Sequence, residues 1–407
     1  MYIAVMGYGT VGSGVVEVLH KNHDSIVSKS TQKDLELKYI IDLRDFPGDP
    51  NEDKFIKDFN IILNDDSVKI VVETMGGLHP AFEFVSSLLK AGKSVVTSNK
   101  ELVAQKGYEL LTLADENNVN FLFEASVGGG IPIIRPISQC LAANEIDEIA
   151  GILNGTTNFI LTMMIEQNMS FEEALKLAQD NGYAEKDPTA DVEGIDACRK
   201  ICILASLCFG KHVYPDSVHT EGISKITLED VAYVNDFGGV IKLLGKARRE
   251  NGGKISAMVC PCIVKNHSQL ASVSDVFNAI LVRGDAIGDV VFYGRGAGKL
   301  PTASAVVADV IDCAKHEKRK KLFGWGAPEE NYVIDYRTLE TALYINKDDV
   351  LKKIGENFGK VKYLTRNGAP EDEIAFVTDK GIEKVLTDKL AKTEGIDVLS
   401  TIRVTDY

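Results

Sequence analysis

Three glycines near the amino terminus constrain the fold of this chain more than any other feature. Gly7, Gly9 and Gly12 have the spacing G-x-G-x-x-G, directly after the apolar run Tyr2 to Met6 and before a helix-like stretch. The first glycine permits a tight turn, the second lets a pyrophosphate approach the backbone, and the third allows close packing of helix on strand. The turn therefore predicts a dinucleotide-binding unit, and the alternative is a glycine-rich turn without a ligand.

Up to residue 135, short apolar β-rich runs alternate with amphipathic stretches, which predicts an α/β fold with a parallel sheet and crossover helices. The predicted strands are Tyr2 to Met6, Leu35 to Ile41, Lys69 to Thr74, Ser94 to Thr97 and Asn120 to Glu124. The predicted helices are Thr10 to Lys21, Pro80 to Ala91 and Leu102 to Asn117. Residues 1–135 are thus predicted to form a Rossmann dinucleotide-binding domain, to which a helix within 299–318 returns.

Beyond Pro136 the strict alternation stops. Residues 136–298 mix helices such as Val192 to Cys208 with strands such as Ala257 to Val264 and Asp289 to Tyr293, which predicts an α+β domain. Residues 335–407 show the order β-α-β-β-α-β, which predicts a small ferredoxin-like domain. Its predicted strands are Ala342 to Ile345, Lys360 to Leu364, Glu373 to Val377 and Val398 to Val404, with helices at Asp348 to Asn357 and Gly381 to Lys392.

Composition excludes several classes of protein. The chain has 45 Lys and Arg against 59 Asp and Glu, and its net charge of -14 disfavours a nucleic-acid partner. Its one basic run, His316 to Lys321, is interpreted as a solvated helix end. The seven cysteines are odd in number and lie mostly in apolar runs, so a reducing compartment, the cytoplasm, is expected. No membrane span, targeting segment or cysteine metal site is predicted, and Cys260-Pro261-Cys262 is interpreted as buried strand.

The sequence leaves the type of dinucleotide open. Asp42 ends the second predicted strand, thirty residues after Gly12, and the polar stretch Lys21 to Asp34 accounts for a gap longer than the usual twenty or so. Asp42 would accept hydrogen bonds from a ribose diol and favour NAD, whereas Arg44 would pair with a 2′-phosphate and favour NADP. Either residue is alternatively an ordinary loop charge.

Several further motifs resemble the homoserine dehydrogenase family. They are Val71 to Gly77, Ser98 to Glu101, Asn154 to Asn158, Gly182 to Lys200, and Gly296 to Gly298 followed by Pro301 to Ala303. The resemblance extends over residues 1 to about 318. It implies reversible hydride transfer between L-homoserine and L-aspartate 4-semialdehyde, with NADP or NAD, in threonine and methionine biosynthesis. It also implies a homodimer or homotetramer formed through the second, catalytic domain.

The resemblance assigns roles to individual residues. Lys200 would give or take the proton at the substrate oxygen, and Asp191 would be a supporting carboxylate in catalysis. Glu185 and Asp196 would be substrate ligands, and Lys100 would contact the cofactor and the substrate. Gly182, Gly298 and Thr74 would contact the cofactor. The glycine fingerprint itself predicts cofactor contacts at Gly7, Gly9, Thr10, Val11 and Gly12, with Asp42 or Arg44 at the ribose, and the substrate carboxylate predicts hydrogen-bond donors at Asn154, Gly155 and Thr156. A monovalent cation, usually sodium in this family, would be held by Glu124, Val127, Gly129 and Ile131.

The residues themselves support part of this assignment. Oxidation of an alcohol requires a group that takes the hydroxyl proton, and a lysine serves if burial or a neighbouring charge adjusts it. Asp196 and Lys200 are four residues apart on a predicted helix that is otherwise apolar, which indicates that the pair is buried. The alternative is a surface pair contributing about 0.2–0.5 kcal/mol. Asn154-Gly155 taken alone is more often a turn.

The carboxy-terminal residues resemble an ACT module, which implies threonine as a regulator. The stretch Asn346 to Leu351 lacks the Pro-Gly that often precedes the first helix of such modules, so simple dimerisation is the alternative. Two other functions compete with the enzyme assignment. An aldehyde-oxidising semialdehyde dehydrogenase would need a cysteine nucleophile, for which no cysteine has a convincing context. A non-catalytic nucleotide sensor would not need to keep Glu185, Asp196 and Lys200 together.

Overall fold

The computed structural model describes residues 1–30, 35–317, 319–348, 354, 357–371, 373–392 and 398–407. Contacts within the chain divide it into two compact units. Unit 1 comprises Met1–Glu145, Cys202–Pro215 and Gly294–Glu330, and unit 2 comprises Ile146–Ile201, Asp216–Tyr293 and Asn331–Tyr407. The three-domain division expected from the sequence, with boundaries at 135, 298 and 335, stays a prediction.

Unit 1 is built on a six-stranded sheet with the order β3-β2-β1-β4-β5-β6, in which all neighbours are parallel. This order is that of a Rossmann sheet, and it confirms the predicted parallel dinucleotide-binding architecture. The strand order reverses between β1 and β4, which is where such sheets bind their ligands. The strands are β1 (Tyr2–Met6), β2 (Glu36–Ile41), β3 (Phe55–Ile56), β4 (Val68–Glu73), β5 (Ser94–Thr97) and β6 (Phe121–Leu122).

Helices connect these strands much as the apolar periodicity predicts. They are α1 (Thr10–Lys21), α2 (His23–Ser30), α3 (Phe59–Asn64), α4 (Ala81–Lys90) and α5 (Lys100–Glu116). Helix α5 begins two residues before its predicted start because Asn99 caps it, with Oδ1 accepting a hydrogen bond from the Leu102 amide at 3.1 Å. The last strand is shorter than predicted, since Glu124 already lies in a 3₁₀ turn, Glu124–Ser126.

Unit 2 contains most of the residues in which the α+β pattern was predicted, and residues 136–145, 202–215 and 294–298 belong to unit 1. Its first elements are β7 (Ile146–Ile152), α6 (Gly155–Gln167), α7 (Phe171–Asp180), α8 (Thr189–Val192) and α9 (Ile195–Phe209), the last of which ends in unit 1. They are followed by β8 (His219–Thr220), α10 (Leu228–Phe237), β9 (Gly239–Arg249), β10 (Ile255–Lys265), β11 (Phe277–Gly284) and β12 (Gly288–Arg295). Cys260 and Cys262 are fully buried on β10, which confirms their interpretation as strand cysteines.

The helix predicted over Val192 to Cys208 is confirmed as α9, but it begins three residues later than predicted, at Ile195. Val192 ends the short helix α8, and Gly194 separates α8 from α9 with a φ of +78°. A left-handed residue ends an α-helix, and glycine adopts that conformation without a steric cost. Asp196 therefore lies in the first turn of α9, where the positive end of the helix dipole favours a carboxylate.

The remaining elements are α11 (Lys299–Lys315), β13 (Glu340–Asp348), β14 (Val361–Leu364), β15 (Glu373–Thr378), β16 (Gly381–Ile382), α12 (Glu383–Lys392) and β17 (Val398–Val404). Helix α11 belongs to unit 1 and packs on α1. In unit 2 the carboxy-terminal strands continue the sheet of the preceding strands, along the path β12-β11-β7-β9-β10-β17-β13-β15-β14. The helix predicted at Asp348 to Asn357 lies mostly outside the described residues, and the ferredoxin-like assignment stays a prediction.

Candidate active site

A cleft of about 980 Å³ opens in unit 1 at the carboxyl ends of β1, β2 and β4. Parallel α/β sheets bind dinucleotides at this edge, where the strand order reverses. Five residues predicted to bind the cofactor line the cleft: Gly7, Gly9, Asp42, Arg44 and Thr74. Lys57, Phe59, His79 and Phe84 also line it, and the sequence analysis did not single these four out.

The glycine turn at the cleft has different requirements at its three glycines. Gly7 has a φ of +92°. A Cβ on Gly12 would lie 1.9 Å from the Gly7 carbonyl oxygen, so only glycine fits where α1 crosses the turn. A Cβ on Gly9 would meet no atom within 4 Å, which leaves its backbone open to a ligand. The Thr74 hydroxyl donates to the Gly7 carbonyl at 3.0 Å and fastens the turn to the end of β4.

Asp42 and Arg44 do not act independently. The Arg44 side chain donates from Nε and Nη2 to the two carboxylate oxygens of Asp42, at 3.0 and 2.8 Å. The backbone amides of Arg44 and Tyr8 also donate to this carboxylate, at 3.0 and 2.8 Å. The Arg44 guanidinium, helped by these amides against the effect of burial, holds the pKa of Asp42 well below its usual range. Asp42 is nearly buried, whereas the Arg44 side chain is 61% exposed.

Glu73 is a buried carboxylate at the end of β4 that the sequence analysis missed. It is fully buried, and it accepts hydrogen bonds from the amides of Met75 and Gly76 and from the Thr97 hydroxyl. The sequence signal that could have identified Glu73 is a charged residue at the end of the apolar run Ile70-Val71-Val72.

Lys100, a predicted cofactor and substrate ligand, is the first residue of α5 and is half-buried.

In unit 2, Lys200 and Asp196 form a buried pair on α9. The Lys200 ammonium lies 2.8 Å from Asp196 Oδ2, and it donates to the Leu153 carbonyl at 2.7 Å. The two side chains are 8% and 4% exposed, which contradicts the surface-pair alternative. A buried ammonium requires a counter-charge and acceptors, and the end of β7 and the first turn of α9 supply them.

Asn154 connects this pair to Asp191. Its Nδ2 donates to Asp196 Oδ2 at 2.9 Å and to Asp191 Oδ1 at 2.7 Å, while its Oδ1 accepts from the Thr157 amide at 2.8 Å and caps α6. The structure thus brings together four of the predicted site residues, Lys200, Asp196, Asp191 and Asn154, by placing the ends of β7, α8 and α9 side by side. Asn154-Gly155 begins a helix and is more than a turn.

The other predicted residues of unit 2 are close in sequence to Asn154 or to Asp191. Gly155 follows Asn154, and the Thr156 hydroxyl donates to the Tyr183 carbonyl at 2.7 Å. Gly182 has a φ of +74° in the loop between α7 and α8, and Glu185 lies exposed in the same loop. Within the described residues, Glu185 takes no part in the hydrogen bonds around Lys200. Gly298 belongs to unit 1, where it precedes α11 with a φ of +122°.

The predicted cation loop, also in unit 1, has an ordered carboxylate at its start. Glu124 is 2% exposed and accepts hydrogen bonds from the amides of Ile133, Ile134 and Arg135, at 2.6 to 2.8 Å. A carboxylate offers about four acceptor positions, so three amides leave room for one further partner. The described residues contain no cluster of three or more His, Cys, Asp or Glu side chains that could hold a metal ion.

A Rossmann sheet with a glycine turn and an open cleft, together with a buried lysine–carboxylate pair, defines a nicotinamide-nucleotide-dependent oxidoreductase. Two family models match this chain: homoserine dehydrogenase, NAD binding domain, over residues 7–124, and homoserine dehydrogenase over residues 132–311. The chain belongs to the homoserine dehydrogenase family. Among the described residues, no helix has the length and apolar character needed to cross a membrane.

Individual relatives agree with the family models, over 77% to 100% of this chain. The homoserine dehydrogenase of Bacillus subtilis is 37% identical, over 99% of this chain and 97% of its own. A crystal structure of the Thiobacillus denitrificans enzyme is 34% identical, with a TM-score of 0.90 over 100% of this chain and 98% of that one. A hyperthermophilic archaeal homoserine dehydrogenase, solved in complex with NADPH, is 28% identical, with a TM-score of 0.63 over 77% and 97%.

Proposed function

We propose that Lys200 moves the proton of the substrate hydroxyl in the reaction of this family, the NAD(P)-dependent interconversion of L-homoserine and L-aspartate 4-semialdehyde. The observation that carries the proposal is the buried contact of Lys200 with Asp196 and Leu153, which fixes the ammonium in one place. A bound nicotinamide supplies the hydride acceptor or donor. In oxidation, neutral Lys200 takes the hydroxyl proton as the C–H hydride leaves the same carbon; in reduction, the Lys200 ammonium returns that proton to the aldehyde oxygen.

The surrounding residues bind and orient the amino-acid part of the substrate. Homoserine carries an ammonium and a carboxylate, so it requires acidic side chains and hydrogen-bond donors. Asp196 and Glu185 are proposed to meet the ammonium, with Asp191 as the supporting carboxylate. The amides of Gly155 and Thr156 begin α6, and a helix amino terminus favours a carboxylate. Asn154 holds the two aspartates in place, and Lys100 is proposed to contact both cofactor and substrate.

The geometry of Asp42 favours NADP over NAD. Four hydrogen bonds to Asp42, from Tyr8 and Arg44, use the acceptor positions that a ribose diol would need. The exposed guanidinium of Arg44 lines the cleft with Lys57, and both suit a 2′-phosphate. The archaeal relative solved with NADPH supports the same choice. Gly7, Gly9, Thr10, Val11 and Gly12 are proposed to hold the pyrophosphate, and Thr74, Gly182 and Gly298 to contact the rest of the cofactor.

A sodium ion is proposed on the loop from Glu124 to Ile131. The fit rests on the one acceptor position that the three amides leave on Glu124, together with the carbonyls of Val127, Gly129 and Ile131. One carboxylate and several carbonyl oxygens suit a hard monovalent cation. The ion would hold this loop and would take no part in hydride transfer.

Assembly, regulation and location are proposed from three separate features of the chain. A homodimer or homotetramer through unit 2 is supported by the exposed Ile287 and Tyr293 at the β11–β12 edge of its sheet. Threonine regulation through an ACT-like carboxy-terminal part is supported by the pairing of β17 with β10. This pairing joins the carboxy-terminal strands to the sheet that contains β7, β9 and β10. The cytoplasm is proposed because the seven cysteines are odd in number and lie mostly in apolar runs, unlike a disulfide framework.

The proposal is tested by homoserine oxidation at alkaline pH with NADP and with NAD, on wild type and Lys200→Met. Lys176→Met is the matched control, because Lys176 pairs with Asp180 on an exposed face of α7. We expect Lys200→Met to lose about 10²- to 10⁴-fold in kcat while NADPH binding persists, and the control to stay near wild type. Unchanged turnover in Lys200→Met would remove it from proton transfer. Failure of the wild type with both cofactors would contradict the activity itself.

The same assay tests the ion and the regulator. Replacing sodium by a large organic cation is expected to lower activity, and restoring sodium is expected to recover it. Added threonine is expected to inhibit the wild type. No response to sodium would contradict the cation proposal, and no response to threonine would contradict the regulatory one.

A further inference from the structure

The geometry points to Glu73 as a positioning residue for the cofactor side of the site. We infer that its carboxylate holds the loop Thr74–Gly77 and the amino end of α5 in one arrangement, so that Thr74 and Lys100 are presented correctly. The inference rests on the proposed function for the roles of those two residues. Glu73 itself would touch neither cofactor nor substrate.

The first support is the set of donors around the carboxylate. Glu73 Oε1 accepts from the Met75 amide at 2.8 Å and from the Gly76 amide at 3.2 Å, and Oε2 accepts from the Thr97 hydroxyl at 2.6 Å. These donors lie on two different loops, one after β4 and one at the end of β5. A single side chain therefore sets the path of one loop and its separation from the other.

The second support is that the hydrogen bonds continue into a closed ring. Thr97 Oγ1 accepts from the Asn99 amide at 2.9 Å, and Asn99 Nδ2 donates to the Gly77 carbonyl at 2.6 Å. Asn99 also caps α5, whose first residue is Lys100. The ring of Glu73, Thr97, Asn99 and Gly77 thus joins the loop after β4 to the start of the helix that carries Lys100.

The third support is that burying the Glu73 carboxylate costs free energy. Burial raises the pKa of Glu73, although the hydrogen bonds from Thr97, Met75 and Gly76 oppose that effect. No lysine or arginine among the described residues forms an ion pair with it. The three strand residues before it, Ile70 to Val72, are apolar and buried, so an apolar side chain would suit this end of β4 equally well for stability alone. A buried polar network whose members are all satisfied makes its surroundings rigid and specifies one arrangement, which is of use where position matters.

The ring also reaches the glycine turn. Thr74 directly follows Glu73, and its hydroxyl donates to the Gly7 carbonyl. A shift of the loop would therefore move Thr74 relative to Gly7 and change the shape of the cleft that these two residues line. Catalytic rates are sensitive to such shifts, since a misplacement of about 1 Å can cost about 100-fold.

The test uses the full chain with Thr97→Val, Glu73→Gln and Glu73→Leu. Thr97→Val removes one hydroxyl of the ring while keeping shape. Glu73→Gln keeps an acceptor oxygen for the two amides, whereas Glu73→Leu removes every acceptor. Thr112→Val is the matched control, since the Thr112 hydroxyl bonds only to the Tyr108 carbonyl within α5 among the hydrogen bonds described. NADPH binding is followed by its fluorescence, homoserine turnover by kcat and KM, and folding by Tm.

We expect Thr97→Val to weaken NADPH binding and kcat/KM by about 10- to 100-fold, with a Tm close to that of Thr112→Val. Glu73→Gln is expected to recover most of the activity that Glu73→Leu loses. A Thr97→Val variant that loses only Tm, with NADPH binding and KM unchanged, would make the ring merely structural and overturn the inference. Because NADPH binding is measured without turnover, a wild type that fails to oxidise homoserine would count against the proposed function and leave this test intact.

Discussion

Arg44 controls what Asp42 can do at the cofactor cleft. While Arg44 occupies both carboxylate oxygens, Asp42 stays ionised and acts as an anchor for the guanidinium, which is left to meet a phosphate. Arg44→Ala would remove the proposed partner of the 2′-phosphate and release Asp42 to accept hydrogen bonds from a ribose diol. We expect kcat/KM for NADP to fall about 10- to 100-fold, and that for NAD to hold or rise.

This residue-scale prediction is checked by steady-state kinetics with both cofactors. Arg319→Ala is the control, because Arg319 is also an exposed arginine of unit 1 but does not line the cleft. A parallel fall for both cofactors in Arg44→Ala would show that Arg44 supports the cleft generally and does not select the 2′-phosphate.

At the scale of elements, two glycines of the β1–α1 turn have different expected roles: Gly12 allows α1 to pack on the turn, and Gly9 leaves room for a ligand. Gly12→Ala places a Cβ 1.9 Å from the Gly7 carbonyl, so α1 must move away from β1 and both Tm and NADPH binding are expected to fall. Gly9→Ala meets no atom within 4 Å and has a φ of -81°, so Tm is expected to hold while NADPH binding weakens at least tenfold. Thermal melts and NADPH titration distinguish the two, and wild-type binding in Gly9→Ala would mean that the pyrophosphate does not cross this glycine.

At the scale of the whole molecule, Arg403 fastens the carboxy-terminal strand into unit 2. Its side chain is 7% exposed and pairs with Glu383 on α12 at 2.7 Å and with Glu221 after β8 at 2.8 Å. Arg403→Met would leave buried Glu383 without its counter-charge, which costs about 3–5 kcal/mol in the free energy of unfolding. Arg337→Met, which breaks an exposed and solvent-screened pair with Asp335, is expected to leave the free energy of unfolding nearly unchanged. Urea denaturation measures both variants. Equal denaturation midpoints for Arg403→Met and Arg337→Met would contradict the proposed contribution of Arg403 to stability.

Much of unit 1 could be predicted because its signals are local. The predicted bounds of β1, β5 and α1 agree with the structure to the residue. Strand runs and helix periodicity depend on neighbours a few positions apart, and the glycine spacing depends on one turn. The same local signals placed the start of α9 three residues too early, because the sequence does not distinguish a left-handed glycine such as Gly194 from a helical one.

The sequence by itself determined that this chain has a parallel dinucleotide-binding sheet and that it belongs to the homoserine dehydrogenase family. Only the tertiary structure decided their partners: Lys200 meets the Leu153 carbonyl 47 positions away, and Glu73 meets Thr97 24 positions away. It also decided that the Arg44 side chain donates hydrogen bonds to Asp42, and that β17 pairs with β10 in one sheet. The reason is physical. Periodicity is a property of adjacent residues, whereas a buried charge takes its partner from whichever distant strand or helix end the fold brings to it.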